Sequence, residues 1–140
     1  MFRKMACFII LGLILAPLAA RAEDSAKQKA GETAAERWLG IVDEGNYGES
    51  WKEAATLFRQ AITQERWEQA LQGVRKPLGK LISRQITSRT YTTSLPGAPD
   101  GEYVVLKFET SFERKKSAVE TVTSTLDKDG QWRVAGYFIK

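Results

Sequence analysis

The chain contains no histidine, and its single cysteine, Cys7, lies in an apolar stretch near the start. No imidazole base, no Ser-His-Asp arrangement and no Cys/His zinc site can therefore be assembled from it. Once Cys7 leaves with a cleaved leader, neither a thiolate nucleophile nor a disulfide remains, so the fold must rest on its hydrophobic core. Glycine-rich phosphate loops, metal-ligand spacings and internal repeats are missing as well. No metal and no cofactor are expected. Proton transfer or nucleophilic chemistry is left to Asp, Glu, Lys, Tyr, Ser and Thr.

A membrane-spanning run is also lacking. Residues 5–15 are apolar but too few to cross a bilayer. They follow the basic pair Arg3 and Lys4 and precede Pro17 and Ala20-Arg21-Ala22, the small-x-small pattern cut by signal peptidases. The expectation is a cleaved signal peptide over residues 1–22, a mature chain beginning at Glu23 in the periplasm or outside the cell, and no membrane anchor after cleavage. Cys7 sits well before the cut, which argues against a lipid anchor. Cleavage lowers Lys plus Arg from 21 to 18 against 17 acidic residues. A surface so nearly balanced offers no electrostatic case for nucleic acid.

Residues 31–140 read as one α+β domain, helices first and strands after, preceded by a polar segment 23–30 expected to be flexible. Ala34, Ala35, Trp38, Leu39, Ile41 and Val42 form one helical stripe that should stop at Gly45, where glycine can take the left-handed conformation. A second helix opens at Asn46 or Tyr47 with Trp51, Ala54, Ala55, Phe58 and Ile62 inward. Thr63 caps a third, with Trp67, Ala70, Leu71 and Val74 inward and with Gly73 and Pro77 limiting its length. Residues 81–95 read as an edge strand, residues 95–101 as a proline- and glycine-rich surface loop, and residues 103–140 as three further strands. About four antiparallel strands result.

Register can be argued from face and charge. A three-residue loop at Arg114, Lys115 and Lys116 sets Phe112 opposite Ala118, Phe108 opposite Val122, Leu106 opposite Ser124 and Val104 opposite Leu126. A one-residue slip would set Glu109 against Glu120, which costs up to about 1 kcal/mol. Gly130 fits the left-handed position of a tight hairpin over residues 127–131. That hairpin brings Trp132, Val134, Gly136 and Phe138 onto the helix-facing side. Ala135, Tyr137 and Ile139 then make the other side of the last strand apolar, which points to a homodimer sheet contact or a covering helix.

Several stretches carry a resemblance. They are Trp38-Leu39, Tyr47 with Ser50-Trp51, Arg75-Lys76-Pro77-Leu78-Gly79, Ser83-Arg84, the 95–103 loop, Phe108 to Phe112 in sequence, Val119-Glu120-Thr121-Val122, and the run from Asp129 through Trp132 to Tyr137. Through them the chain resembles a bacterial family of exported proteins, domain of unknown function four thousand and nineteen. The turn around residues 43–47 with Trp51 is similar to that of nuclear-transport-factor-2-like domains. The resemblance implies a cone-shaped sheet over helices and an exported setting; it carries no catalytic residues to transfer.

Among candidate site residues, Glu120 is the sharpest, since the register puts a carboxylate among Phe112, Val122 and Phe138, where it needs a partner or a raised pKa. In a functional role it is an acid or base in the helix-sheet cavity, with Tyr103 or Tyr47 as proton donor, as in the cone-shaped ketosteroid isomerase. In a structural role it pairs with Arg84 or Arg133 and holds the sheet to the third helix. Trp38, Trp51, Phe108 and Trp132 either fill the core or wall a ligand cavity. Arg75, Lys80 and Arg84 are an anion-binding rim or plain helix-end and sheet-edge charges; the 95–101 loop is a partner-binding edge or a rigid connector. Asp127 and Asp129 supply too few oxygens for calcium. The function expected is a non-enzymatic periplasmic binding module for a protein partner or a small apolar ligand. The alternatives are a histidine-free isomerase, dehydratase or hydrolase using a carboxylate and a tyrosine, and an oligomerising envelope protein.

Overall fold

The computed structural model describes residues 18–140. Arg3, Lys4, the apolar run 5–15 and Cys7 lie outside the described residues. Four helices come first: α1 (Leu18–Asp43), α2 (Tyr47–Lys52), α3 (Thr56–Ala61) and α4 (Gln64–Val74), followed by a 3-10 turn (Lys76–Leu78). Four strands follow: β1 (Leu81–Thr92), β2 (Tyr103–Phe112), β3 (Lys115–Leu126) and β4 (Trp132–Ile139), forming one antiparallel sheet in the order β1-β2-β3-β4. Helices and sheet pack as an α+β domain, with α1 touching all four strands. No described helix is long and apolar enough to cross a membrane.

Local chemistry explains the helix ends. Gly45, at φ +80°, closes α1 while its N–H and that of Asn46 bond to the carbonyls of Val42 and Ile41. Thr63 caps α4 by accepting from the Arg66 N–H at 3.3 Å. Two expectations change. Residues 23–30 are helical rather than flexible, because Lys27 reaches Glu102 at 2.6 Å and the Tyr91 hydroxyl at 3.4 Å, tying that turn of α1 to the sheet. The expected second helix is broken into α2 and α3: Ala55 is extended, with ψ 154°, and its N–H bonds to Val134 of β4 at 2.8 Å instead of continuing the helical ladder. No proline or glycine marks that break, so the sheet imposes it.

The sheet also departs from the expected pairing in two places. Between β2 and β3 the register places Leu106 opposite Val122, Val104 opposite Ser124 and Phe108 opposite Glu120, two residues from the predicted pairing. The turn is tighter than a three-residue loop, and a bulge between Thr110 and Phe112 takes up the difference. Side-chain direction repeats every two residues, so a two-residue shift keeps every face. Glu120 thus stays inside and Glu109 faces Val119.

The second departure reverses half a strand. In β4, Gly136 pairs with Thr123 but Val134 with Ser124, leaving Ala135 as an extra, bulged residue. Trp132 and Val134 stay on the helix side as expected. Past the bulge the parity inverts: Tyr137 turns in opposite Val122, and Phe138 is 62 % exposed on the outer face.

The core lies between α1, the short helices and the inner sheet face. Trp38, Leu39, Val42, Phe58, Trp67 and Leu71 meet Val104, Leu106, Phe108, Val122 and Val134, all buried. Side chains thus fill the centre of the helix-to-sheet space, where the sequence left room for a cavity. The indoles are fixed by polar bonds as well as area: Trp38 donates to the Ser50 carbonyl at 2.8 Å, Trp67 to the Ser50 hydroxyl at 3.0 Å, and Trp51 to the Ile62 carbonyl at 2.8 Å. Where α1 crosses β2 the approach is close. A Cβ on Gly31 would lie 2.6 Å from Val104 Cβ, and the Gly31 carbonyl accepts from the Ser124 hydroxyl at 2.8 Å.

Candidate functional site

Two places combine polar chemistry with defined geometry. The first is a buried charge network around Glu120, which is fully buried on β3. Its oxygens accept from Arg84 Nε at 2.7 Å, from Arg84 Nη2 at 3.3 Å, from the Thr110 hydroxyl at 2.6 Å and from the Tyr137 hydroxyl. Arg84 also grips Asp43, the last residue of α1, at 2.7 and 3.0 Å. Buried Arg75, just after α4, donates to Asp43 at 3.2 Å and to the Gly79 carbonyl at 2.6 Å, with its guanidinium 4.4 Å from the Phe112 ring centre. Two arginines and two carboxylates thus join all four strands to the ends of α1 and α4.

Electrostatics fit a closed structural knot. Burial works against the Arg84 charge, yet its hydrogen bonds to Asp43 and Glu120 outweigh that and raise its pKa. Burial pushes the Tyr137 hydroxyl far above its ordinary value, and the adjoining Glu120 charge and hydrogen bond add to it. A carboxylate offers about four lone-pair sites, and four donor bonds occupy those of Glu120. A general base needs a free lone pair within hydrogen-bond reach of a substrate proton. Glu120 presents none to solvent, and a tyrosine held neutral to high pH is a poor acid.

The tyrosines expected beside Glu120 lie elsewhere. Tyr103 alternates to the outer face of β2, buried under the 95–101 loop, and its hydroxyl donates to the Pro99 carbonyl at 2.5 Å. Tyr47 opens α2 and packs against the aromatic core; no hydrogen bond joins it to Glu120 among the described residues. Tyr137 takes the position instead, because the Ala135 bulge turns it inward. Of the two arginines weighed, Arg84 is the partner, whereas Arg133 pairs with Asp127 at 3.2 Å and Asp129 at 2.7 Å. Arg75 and Arg84 are engaged inside the protein rather than on an anion-binding rim, and at Lys80 it is the backbone N–H that bonds, to Glu113. Asp43 was missed, though a carboxylate at the negative end of a helix dipole signals a nearby cation. Glu32 was missed too: it falls on the stripe of Ala35 and Leu39, is buried, and takes Arg89 at 2.5 and 3.0 Å.

The second place is open. A groove of about 580 Å³ runs between α1 and β4 with its hairpin. Ala26, Ala30, Ala34 and Ile41 line it from the helix, and Trp38, Trp132 and Val134 line it beneath and opposite. Its polar lining includes Lys29, Arg37, Arg133 and Glu53. Of the four aromatic candidates for ligand binding, the groove brings together Trp38 and Trp132. Phe108 lies in the core and Trp51 packs against it from the edge, its indole bonded to Ile62.

Comparison with known proteins adds family but not activity. No curated protein matches the chain. A solved structure from Catenulispora acidiphila is similar to it at 14 % identity and a TM-score of 0.49, over 87 % of this chain and 91 % of that one. Residues 34–137, from the middle of α1 to the Tyr137 that bonds Glu120, match the family described as protein of unknown function (DUF4019), and the chain belongs to that family.

Proposed function

We propose that this chain is an exported, non-enzymatic binding module of the bacterial periplasm or exterior, and that it binds through the groove between α1 and β4. The observation that carries this reading is the contrast between the two sites. The buried acid is saturated by internal donors, whereas the groove is open and lined by both apolar and charged side chains. Its volume falls within the roughly 300–1,000 Å³ usual for small-molecule sites. Export rests on the sequence of residues 1–22. It is compatible with residues 18–22 being exposed, so that cleavage after Ala22 would remove no core contact. The nuclear-transport-factor-2-like cone belongs to the same proposal, supported by the order of helices before strands and by α1 lying across the sheet.

Native mass spectrometry of the mature protein purified from the bacterial envelope tests this reading. A co-purifying mass should be present in the wild type, kept in Glu120→Gln and lost when Ala34→Trp fills the groove. Loss in folded Glu120→Gln with retention in Ala34→Trp would return the acid to a catalytic or ligand-binding role. A second reading, homodimerisation through the outer sheet face, is favoured by exposed Phe138 and Val119, diagonal neighbours there. Light scattering at high micromolar concentration tests it, and a strictly monomeric mass would remove it.

A further inference from the structure

We propose that the α1–β4 groove takes a single-chain amphiphile with an anionic head. This rests on the binding-module reading and names its ligand class. The first support is the state of the indoles. Those of Trp38, Trp51 and Trp67 each donate to an acceptor within the fold. The Trp132 N–H has no acceptor among the described residues, and its ring is only partly buried where it lines the groove. Next comes the floor. Ala26, Ala30 and Ala34 recur every four residues on one face of α1, and the groove follows the helix from Ala26 to Ile41, roughly 22 Å. Small side chains opposite a large aromatic make the apolar part of the lining a strip along the helix, suited to an alkyl chain.

Charge selects the head. The lining holds three cations, Lys29, Arg37 and Arg133, against one carboxylate, Glu53. Arg133 is held by Asp127 and Asp129. Arg37 reaches Glu53 only at 3.9 Å with its side chain 77 % exposed, an ion pair that contributes little. Lys29 has no ion-pair partner among the described residues. A carboxylate or phosphate head therefore finds uncommitted positive charge at the rim while its chain covers the alanines and the indole. A cationic head on the same chain meets repulsion.

Calorimetry on the mature protein, below the micelle concentration of each probe, tests the inference with dodecanoate, dodecyl phosphate, dodecyltrimethylammonium and acetate. At least one anionic chain should bind about tenfold or more tighter than the cationic chain, and acetate should not bind measurably. The ratio of dodecanoate to dodecyl phosphate affinity tells which head the rim prefers. Lys29→Glu with Arg37→Glu, both exposed positions, should reverse the preference between anionic and cationic chains. Trp132→Phe should reduce the fluorescence change that accompanies binding, leaving only the part contributed by Trp38, the other indole of the lining. Equal binding of chains of either charge, blocked by Ala34→Trp, would overturn the anionic assignment and leave the groove reading standing. If no chain binds while an envelope-derived mass is still lost in Ala34→Trp, the inference fails and the reading survives. Failure of both experiments overturns both.

Discussion

Replacing Glu120 by glutamine changes one oxygen into an NH2 group at a buried position where all four hydrogen bonds are accepted by the carboxylate. Arg84 Nε and Nη2, the Thr110 hydroxyl and the Tyr137 hydroxyl all point at the native carboxylate. The amide keeps one acceptor oxygen and adds two donors, so at least one native donor loses its partner and Arg84 loses one of its two countercharges. Removing one member of a buried ion pair costs about 3–5 kcal/mol, and Arg84 retains Asp43, which puts the expected cost near the lower end. At a urea slope of about 2 kcal/mol per molar, a loss of about 3 kcal/mol lowers the unfolding midpoint by about 1.5 M with the slope unchanged. Equilibrium denaturation followed by tryptophan fluorescence reads this directly. Arg84→Met combined with Glu120→Leu should cost less than the two single changes added, by about 1 kcal/mol or more, because residues in one network couple. A midpoint for Glu120→Gln within about 0.3 M of wild type, or additive single costs, would refute the claim that this carboxylate is a structural tie.

Gly31→Ala drives a methyl into buried, β-branched Val104 on β2, and should destabilise by about 1–3 kcal/mol despite the better helix propensity of alanine; thermal denaturation measures it. Tyr137 has its pKa raised, so its contribution is complete below the unfolded value near 10 and is lost as pH rises beyond it. Stability should therefore fall above about pH 10, and Tyr137→Phe should flatten that limb of a denaturation–pH profile. Glu32 and Glu102 are held below the ordinary carboxylate value by hydrogen bonds from Arg89 and Lys27. Their stabilisation is present above about pH 4.5 and is lost on further acidification, visible as a falling urea midpoint that Glu32→Gln makes shallower. Expression of the full chain in a bacterial host should yield an envelope product whose intact mass begins at Glu23; a product retaining residues 1–22 would contradict cleavage there.

Much of the fold was legible because some residues act locally. Gly45, Thr63 and Gly130 each mark a boundary through their own backbone or side-chain chemistry, and each does so in the structure. Pairing was legible only to within two residues. Alternation fixes which face a side chain occupies, and a shift of two leaves that unchanged, so Glu120 could be placed inside while its partner strand residue could not. The inversion of β4 had one available signal, Gly136 within a strand, a frequent companion of bulges. Taking the strand as regular hid Tyr137. The break between α2 and α3 had no signal at Ala54 or Ala55, since a hydrogen bond to Val134 made by the tertiary fold imposes it. The groove was invisible for a related reason: its two walls, at Ala30 and Trp132, are about a hundred residues apart in the chain and meet only through the topology.

If ligands enter the groove and the buried acid only ties the fold together, a ligand titration should disturb the first and not the second. Mapping amide and indole resonances of the mature protein during a dodecanoate titration tests it most directly. The Trp132 indole and the amides of Ala26, Lys29, Ala30 and Ala34 should shift together, with Thr110, Glu120 and Val122 unmoved. Shifts centred on Thr110, Glu120 and Tyr137, with Ala30 and Trp132 silent, would contradict it.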